Sequence, residues 1–303
     1  MPVPPRSIRV FGVPMDLGQT LRGVDMGPSA LRYAGLRRRL RALGHSVEDA
    51  GNVTVPVRDH LPGLEETDED RVRFEAIVEV CRTVAAHAAT AVDEGRLPLF
   101  LGGDHSISAG TVAGIAAGRR TGVLWVDAHG DFNTFETSPS GNVHGMSLAA
   151  LLGEGDERLT SIGGRTPAVL PEDVVLVGVR DLDPAERARI RASGVAIYTM
   201  REVDERGIAS VAREALARLS ETDHLHVSLD LDVLDPAEAP GVGTPVHGGL
   251  TYREAQLLCE MLADSGRVGS LDVVEVNPIL DERNRTAETA VELVESIFGK
   301  TIL

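Results

Sequence analysis

The chain is short of several residue types that mark common functional classes. Two cysteines in 303 residues, Cys81 and Cys259, cannot build a disulfide framework, which excludes a stapled secretory scaffold and fits a reducing cytoplasm. Lysine is almost missing: Lys300 is the one lysine among 30 basic residues, and against 46 acidic residues the formal net charge is −16. No basic patch stands out, so nucleic acid is not an expected partner. No stretch of about 18 apolar residues exists to span a membrane. The opening Met1-Pro2-Val3-Pro4-Pro5-Arg6 has no apolar segment, so no signal peptide is expected. Internal repeats, low-complexity linkers and shifts of composition are also missing, and one domain over residues 1–303 is expected.

What is present alternates short β-branched apolar runs with helical periodicity. Strands are expected over 8–13, 97–101, 122–126, 174–179, 196–198, 225–229 and 269–276. Helices are expected over 28–43, 69–94, 106–119, 184–192, 206–219, 252–262 and 285–298. The strands are apolar on both faces, which suits a parallel sheet buried between helices, an α/β fold.

The conspicuous polar residues lie just beyond the C-terminal ends of these runs, where open α/β sheets bind ligands. Asp127-Ala128-His129-Gly130-Asp131 follows 122–126, and Asp230-Leu231-Asp232 follows 225–229. In extended chain, side chains at i, i+2 and i+4 share a face. Asp127, His129 and Asp131 can therefore converge, as can Asp230 and Asp232. His105 ends the run 97–101 behind Gly102 and Gly103, which permit a tight turn. Four carboxylates at two strand ends repel one another unless cations sit among them. The set His105, Asp127, His129, Asp131, Asp230 and Asp232 thus points to two divalent metal ions. Two ions need roughly ten to twelve coordination positions, so carboxylates must bridge and water must complete the shells. Oxygen donors with two imidazoles suit Mn²⁺, with Co²⁺, Fe²⁺ or Zn²⁺ as alternatives. No thiolate takes part, against a structural zinc site, and no phosphate-cradling loop is present, against a magnesium–nucleotide site. Asp104 has two readings: a cap for the helix starting near Ser106, or an orienting partner for a ligand. Two-metal sites ionise a shared water near neutral pH, so hydrolysis at electrophilic carbon or phosphorus is expected.

Segments 101–106 (LGGDHS), 127–131 (DAHGD), 140–145 (SGNVHG), 228–236 (SLDLDVLDP), 241–245 (GVGTP) and 275–278 (EVNP) resemble the signatures of the ureohydrolases. Segments 12–18 (GVPMDLG) and 22–30 (RGVDMGPSA) bring the resemblance closest to arginases, and it covers almost the whole chain. The resemblance implies a three-layer α/β/α sandwich on an eight-stranded, mostly parallel sheet, assembled as a homotrimer or homohexamer. It implies two Mn²⁺ per subunit, one held by His105, Asp127, Asp131 and Asp230, the other by Asp127, His129, Asp230 and Asp232. The implied reaction is hydrolysis of L-arginine to L-ornithine and urea by a metal-bridging hydroxide. Asp131 would receive and pass on a proton, His144 would shuttle protons, and Glu275 would pair with the guanidinium with support from Thr244. Asn133, Ser138, Ser140 and Asn142 would grip the α-carboxylate; Asp183 and Glu186 would hold the α-ammonium.

Plainer readings stand beside some of these roles. His144 can be a turn residue, and 133–142 an ordinary polar turn. Asp183-Pro184-Ala185-Glu186 is a good helix start, with Asp at the N-cap, Pro at N1 and Glu at N3; capping and ligand binding can coexist. Val233 stands where arginases commonly have glycine. That departure keeps an agmatinase- or guanidinobutyrase-like hydrolase as the alternative, with a non-catalytic metal-binding homologue behind it.

Overall fold

Runs that are apolar on both faces must be covered on both faces, and the architecture follows from that. The computed structural model describes residues 3–61 and 69–301. Its strands are β1 (Ser7–Val13), β2 (Ser46–Asn52), β3 (Leu97–Gly102), β4 (Thr121–Val126), β5 (Val174–Val179), β6 (Ala196–Thr199), β7 (His224–Asp230) and β8 (Val268–Val274). They form one eight-stranded sheet in the order β2-β1-β3-β8-β7-β4-β5-β6, and every ladder in it is parallel.

The helices are α1 (Gly27–Tyr33), α2 (Leu36–Ala42), α3 (Glu69–Asp93), α4 (Ile107–Ala116), α5 (Ser147–Leu151), α6 (Glu157–Thr160), α7 (Pro184–Ser193), α8 (Met200–Arg206), α9 (Ile208–Arg218), α10 (Tyr252–Ser265) and α11 (Arg285–Ile297). Alternation along each strand sorts side chains into two cores. Leu124 and Val126 of β4 join the core under α1, α2 and α9 to α11. Val123 and Trp125, one residue out of step, join the core under α3 to α5. The result is three layers, helix, sheet and helix.

Three of the differences from the sequence expectation have a plain physical cause. The helix expected over 28–43 is two helices, because Gly35 adopts φ 89° between α1 and α2, a conformation glycine enters without a Cβ clash. The helix expected from 206 begins at Ile208, after Gly207 at φ 76°, and α8 precedes it. Strand β2 carries the sequence SVEDAGN and is largely exposed at the sheet edge, so it lacks the apolar alternation that betrays a strand. Among the described residues, no helix is long and apolar enough to cross a membrane.

Candidate metal centre

Strands β3, β8, β7 and β4 are neighbours in the sheet. Their C-terminal ends carry His105, then Glu275, then Asp230 and Asp232, then Asp127 to Asp131. The chain runs from β3 to β4 while β8 and β7 fill the space between them, so the site sits where the strand order reverses. Backbone geometry aims the side chains. A Cβ on Gly103 would lie 1.9 Å from the Met15 carbonyl oxygen, so only glycine lets the turn after β3 press against the loop after β1. There the Asp104 N–H donates to the Met15 carbonyl at 2.8 Å. Asp131 and Glu275 hold φ of 49° and 64°, an unfavourable conformation for non-glycine residues that folds tolerate mainly at functional sites.

The six expected ligands converge. His105 Nδ1 lies 2.9 Å from Asp131 Oδ2, 3.1 Å from Asp230 Oδ2 and 3.2 Å from Asp127 Oδ2. His129 Nδ1 lies 3.0 Å from Asp232 Oδ2 and 3.5 Å from Asp127 Oδ1. Two groups can each hold a metal ion: His105, Asp127 and Asp230, and Asp127, His129 and Asp232. Asp127 belongs to both. The other contacts of these carboxylates come from donors that fix their orientation. Asp127 accepts from the His129 N–H at 2.7 Å and from Trp125 Nε1 at 2.9 Å. Asp230 accepts from the Asp232 N–H at 2.8 Å, and Asp232 from the Ala128 N–H at 3.2 Å. His105 Nδ1 and Asp131 Oδ2 are buried and have no hydrogen-bond partner despite their proximity. Buried polar atoms are otherwise almost always satisfied. Lone pairs turned towards one point, with oxygen and imidazole donors around them, fit a divalent cation.

Electrostatics lead to the same conclusion. Burial opposes the charged form of His105, yet Asp131, Asp127 and Asp230 hold its pKa well above the usual range. His129 is raised in the same way, chiefly by Asp232 against burial. Burial and the neighbouring Asp232 and Asp127 push the Asp230 carboxyl far up, and burial and Asp127 push up Asp131. Two imidazoles do not neutralise four carboxylates, and added cations would.

Above the cluster opens a cavity of about 300 Å³. His129, Asp131, Asp230 and Asp232 form its floor, and Asn133, Ser138, Ser140, Asn142, His144, Asp183, Glu186 and Thr244 line it. His105, Asp127 and Glu275 lie fully buried beneath. Several lining side chains also hold the fold together. His144 Nδ1 is 3.0 Å from Glu275 Oε1; burial opposes its charge, but Glu275 raises its pKa to about 9. Glu275 also accepts from the His105 N–H at 2.8 Å and from Gln19 Nε2 at 2.8 Å. Thr244 Oγ1 donates to Asp232 Oδ2 at 3.0 Å. Asn133 Nδ2 donates to Asp183 Oδ2 at 3.1 Å. Ser138 and Ser140 accept from the Gly141 and Asn142 N–H groups at 3.0 and 3.2 Å. Glu186 caps α7 by accepting from the Asp183 N–H at 3.2 Å, and also accepts from the Phe132 N–H at 2.9 Å. Burial, partly offset by the Phe132 N–H, raises its pKa to about 7. Asp104 accepts from the Gly18 N–H at 2.8 Å and from the Ser106 N–H at 3.0 Å, so it both ties down the loop after β1 and caps the turn before α4.

Four contributors escaped the sequence reading. Trp125 stacks on His105, ring centroids 4.2 Å apart and 13° from parallel. Ser228 Oγ sits 2.8 Å from His105 Nε2. Gln19 anchors Glu275, and Asp181 lines the cavity. A signal existed for Ser228: it lies two residues before Asp230 on the same strand face.

The sequence pattern of the arginase family matches residues 6–299. An arginase from Bacillus caldovelox is 55% identical over 301 residues, covering 98% of this chain and 100% of that protein. Its native structure at pH 5.6 superposes with a TM-score of 0.94 at 54% identity, covering 98% of this chain and 100% of that one. The Entamoeba histolytica arginase, solved in complex with L-ornithine, superposes with a TM-score of 0.86 at 30% identity, covering 98% of this chain and 99% of that one. The chain therefore belongs to the arginase family and is a hydrolase of that family.

Proposed function

We propose that the protein hydrolyses L-arginine to L-ornithine and urea with two manganese ions. The observation that carries this reading is the pair of ligand groups sharing Asp127 beneath an open polar cavity, with His105 Nδ1 and Asp131 Oδ2 left without partners. His105, Asp127, Asp131 and Asp230 would hold one ion; Asp127, His129, Asp230 and Asp232 would hold the other. Bound there, the two ions supply Lewis acidity and a water that ionises near neutral pH.

The chain's own residues do the rest. Asp131 reaches from the cluster into the cavity and is placed to take a proton and hand it to the departing amine. His144 exchanges protons with solvent, and Glu275 fixes its ring and sets its charge. The buried Glu275 carboxylate also places negative charge below the cavity, where a guanidinium would settle. Thr244 steadies Asp232. At the mouth, Asn133, Ser138, Ser140 and Asn142 offer hydroxyl and amide groups suited to a carboxylate, while Asp183 and Glu186 face an ammonium. A substrate carrying both groups beside a guanidinium is arginine. Agmatine lacks the carboxylate, and the relative solved with L-ornithine supports the amino-acid reading. Assembly as a homotrimer or homohexamer and a cytoplasmic location belong to the same proposal.

The test is urea release from L-arginine, agmatine and 4-guanidinobutyrate in Mn²⁺, compared as kcat/KM. L-Arginine is expected to lead by at least about 10²-fold, since a site built for polar groups rejects analogues that leave them unpaired. A preference for agmatine or guanidinobutyrate would overturn the substrate assignment.

A further inference from the structure

Strand β7 reads HLHVSLD and is followed by Leu231-Asp232. His224, His226, Ser228 and Asp230 recur at every second residue of a strand inside the protein, and Asp232 follows in the turn beyond it. Ser270 and Asp272 do the same on β8, in register with His226 and Ser228. A polar stripe through a covered sheet needs internal partners, and here hydrogen bonds join it into a single chain that meets at Asp272 Oδ2, with Asp272 Oδ1 left without a partner. His105 Nε2 is 2.8 Å from Ser228 Oγ, which is 3.2 Å from Ser108 Oγ on α4. Ser108 Oγ donates to Asp272 Oδ2 at 2.8 Å. From the far end, His224 Nε2 is 2.9 Å from Ser270 Oγ, Ser270 Oγ is 2.9 Å from His226 Nδ1, and His226 Nε2 is 3.2 Å from Asp272 Oδ2. Thr111 Oγ1 donates to the same oxygen at 2.6 Å. Asp272, His226, Ser108, Thr111, Ser228 and Ser270 are completely buried.

Proton counting gives the chain a direction. A serine hydroxyl has one proton to give. Ser108 gives its proton to Asp272, so it must accept from Ser228. Ser228 then has only a lone pair for His105, whose Nε2 must carry the proton. In the neutral imidazole that a metal ion requires, this leaves His105 Nδ1 bare, and Nδ1 is the atom turned towards Asp127, Asp131 and Asp230. The second arm, from His224 through Ser270 and His226, converges on the same carboxylate.

We propose that Asp272 is a positioning residue for the metal centre: through Ser108 and Ser228 it selects the His105 tautomer that presents a bare Nδ1, and so sets the affinity of the His105 position and not that of the His129 position. This rests on the two-ion reading above. Outer partners of a metal-bound histidine commonly change affinity 10–100-fold when removed.

The experiment is Mn²⁺ titration of the full-length protein by equilibrium dialysis, with electron paramagnetic resonance to separate single from paired ions. Wild type is expected to bind two ions. Asp272→Leu, which removes the acceptor at similar size, and Ser108→Ala are each expected to weaken one ion by 10–100-fold and leave the other within about twofold, so that single-ion spectra persist at concentrations that fill both sites of wild type. Thr111→Val removes a donor to Asp272 that is not on the path to His105, and it is expected to lower thermal stability while both affinities hold. Should Asp272→Leu fail to fold, Ser108→Ala retains the buried carboxylate and still breaks the path. The proposal is overturned if these two variants bind both ions like wild type, if they weaken both ions equally, or if Thr111→Val behaves as they do. Fewer than two ions on wild type would instead overturn the two-ion reading itself, and with it this proposal.

Discussion

Replacing Glu186 by glutamine separates its fold role from its site role, and the two effects have opposite signs. Glu186 is 4% exposed, and burial raises its pKa from 4.5 to about 7. A raised carboxyl binds its proton more tightly in the folded state, so the stability this confers is present below pH 4.5 and is lost as pH climbs through about 7. At about 1.4 kcal/mol per pH unit, the full loss is about 3 kcal/mol. Most of it, about 2–3 kcal/mol, falls between pH 5 and pH 8. Glutamine does not titrate, so it escapes this loss. It has one acceptor oxygen where Glu186 uses two, for the Phe132 and Asp183 N–H groups, and leaving one donor unpaired costs about 1–2 kcal/mol. The variant is therefore expected to be less stable than wild type at pH 5 and more stable at pH 8. The assay is urea denaturation of both proteins across that range. In catalysis the arginine ammonium would restore the carboxylate, so the variant's KM for L-arginine should rise about 10–100-fold with kcat within a few-fold, from the loss of one charged pair. Inhibition by 5-aminopentanoate, which is ornithine without its α-amino group, should be unchanged. Parallel stability profiles for the two proteins, or an unaltered KM, would refute the reasoning.

Two further substitutions address the cavity. His144→Asn should lower kcat by about 10²-fold or more, the usual contribution of a proton-transferring side chain. Glu275 raises the His144 pKa to about 9 against burial, so the stability from this pair is present below pH 6.5 and is lost as pH rises through about 9. Two bound cations would oppose the imidazolium and lower that value, so the kcat–pH profile should show a limb at or below pH 9 that the variant lacks; a limb that survives in the variant contradicts the shuttle role. Ser140→Ala combined with Asn142→Ala should raise KM for L-arginine by about 10²-fold or more, from the loss of about two hydrogen bonds to a carboxylate, while agmatine kinetics stay unchanged. An equal effect on both substrates would place the loop's role in folding.

The features legible in the sequence are those that periodicity and spacing encode. Strands β3, β4 and β5 are buried along their whole length, so their unbroken apolar runs announce them. Strand β2 has one neighbour and one fully buried side chain, Val47, and no pattern betrays it. The break at Gly35 depends on a positive φ that a glycine permits but does not demand. The candidate ligands stood out by their alternate spacing, but only Asp230 lies in a strand: β4 ends at Val126 and Asp232 sits in the turn after β7, so loop geometry and not strand alternation brings them together. The left-handed backbone at Asp131 and Glu275 was not legible, since no sequence pattern demands it of a non-glycine residue. The resemblance assigned Glu275 to the guanidinium, and spacing could not reveal that its two oxygens also hold His144, Gln19 and the His105 N–H. Nor could spacing pair Ser228 with His105, which are 123 residues apart.

The central claim is that the converging carboxylates exist to hold a pair of cations, with Asp127 shared between them. The most direct measurement is the manganese content of the protein after loading and desalting, for wild type and for Asp127→Ala. Two ions per wild-type chain and fewer than one per variant chain, with urea release lost in parallel, is the expected result. An active wild type that retains one ion or none, or a variant that keeps both, would contradict it.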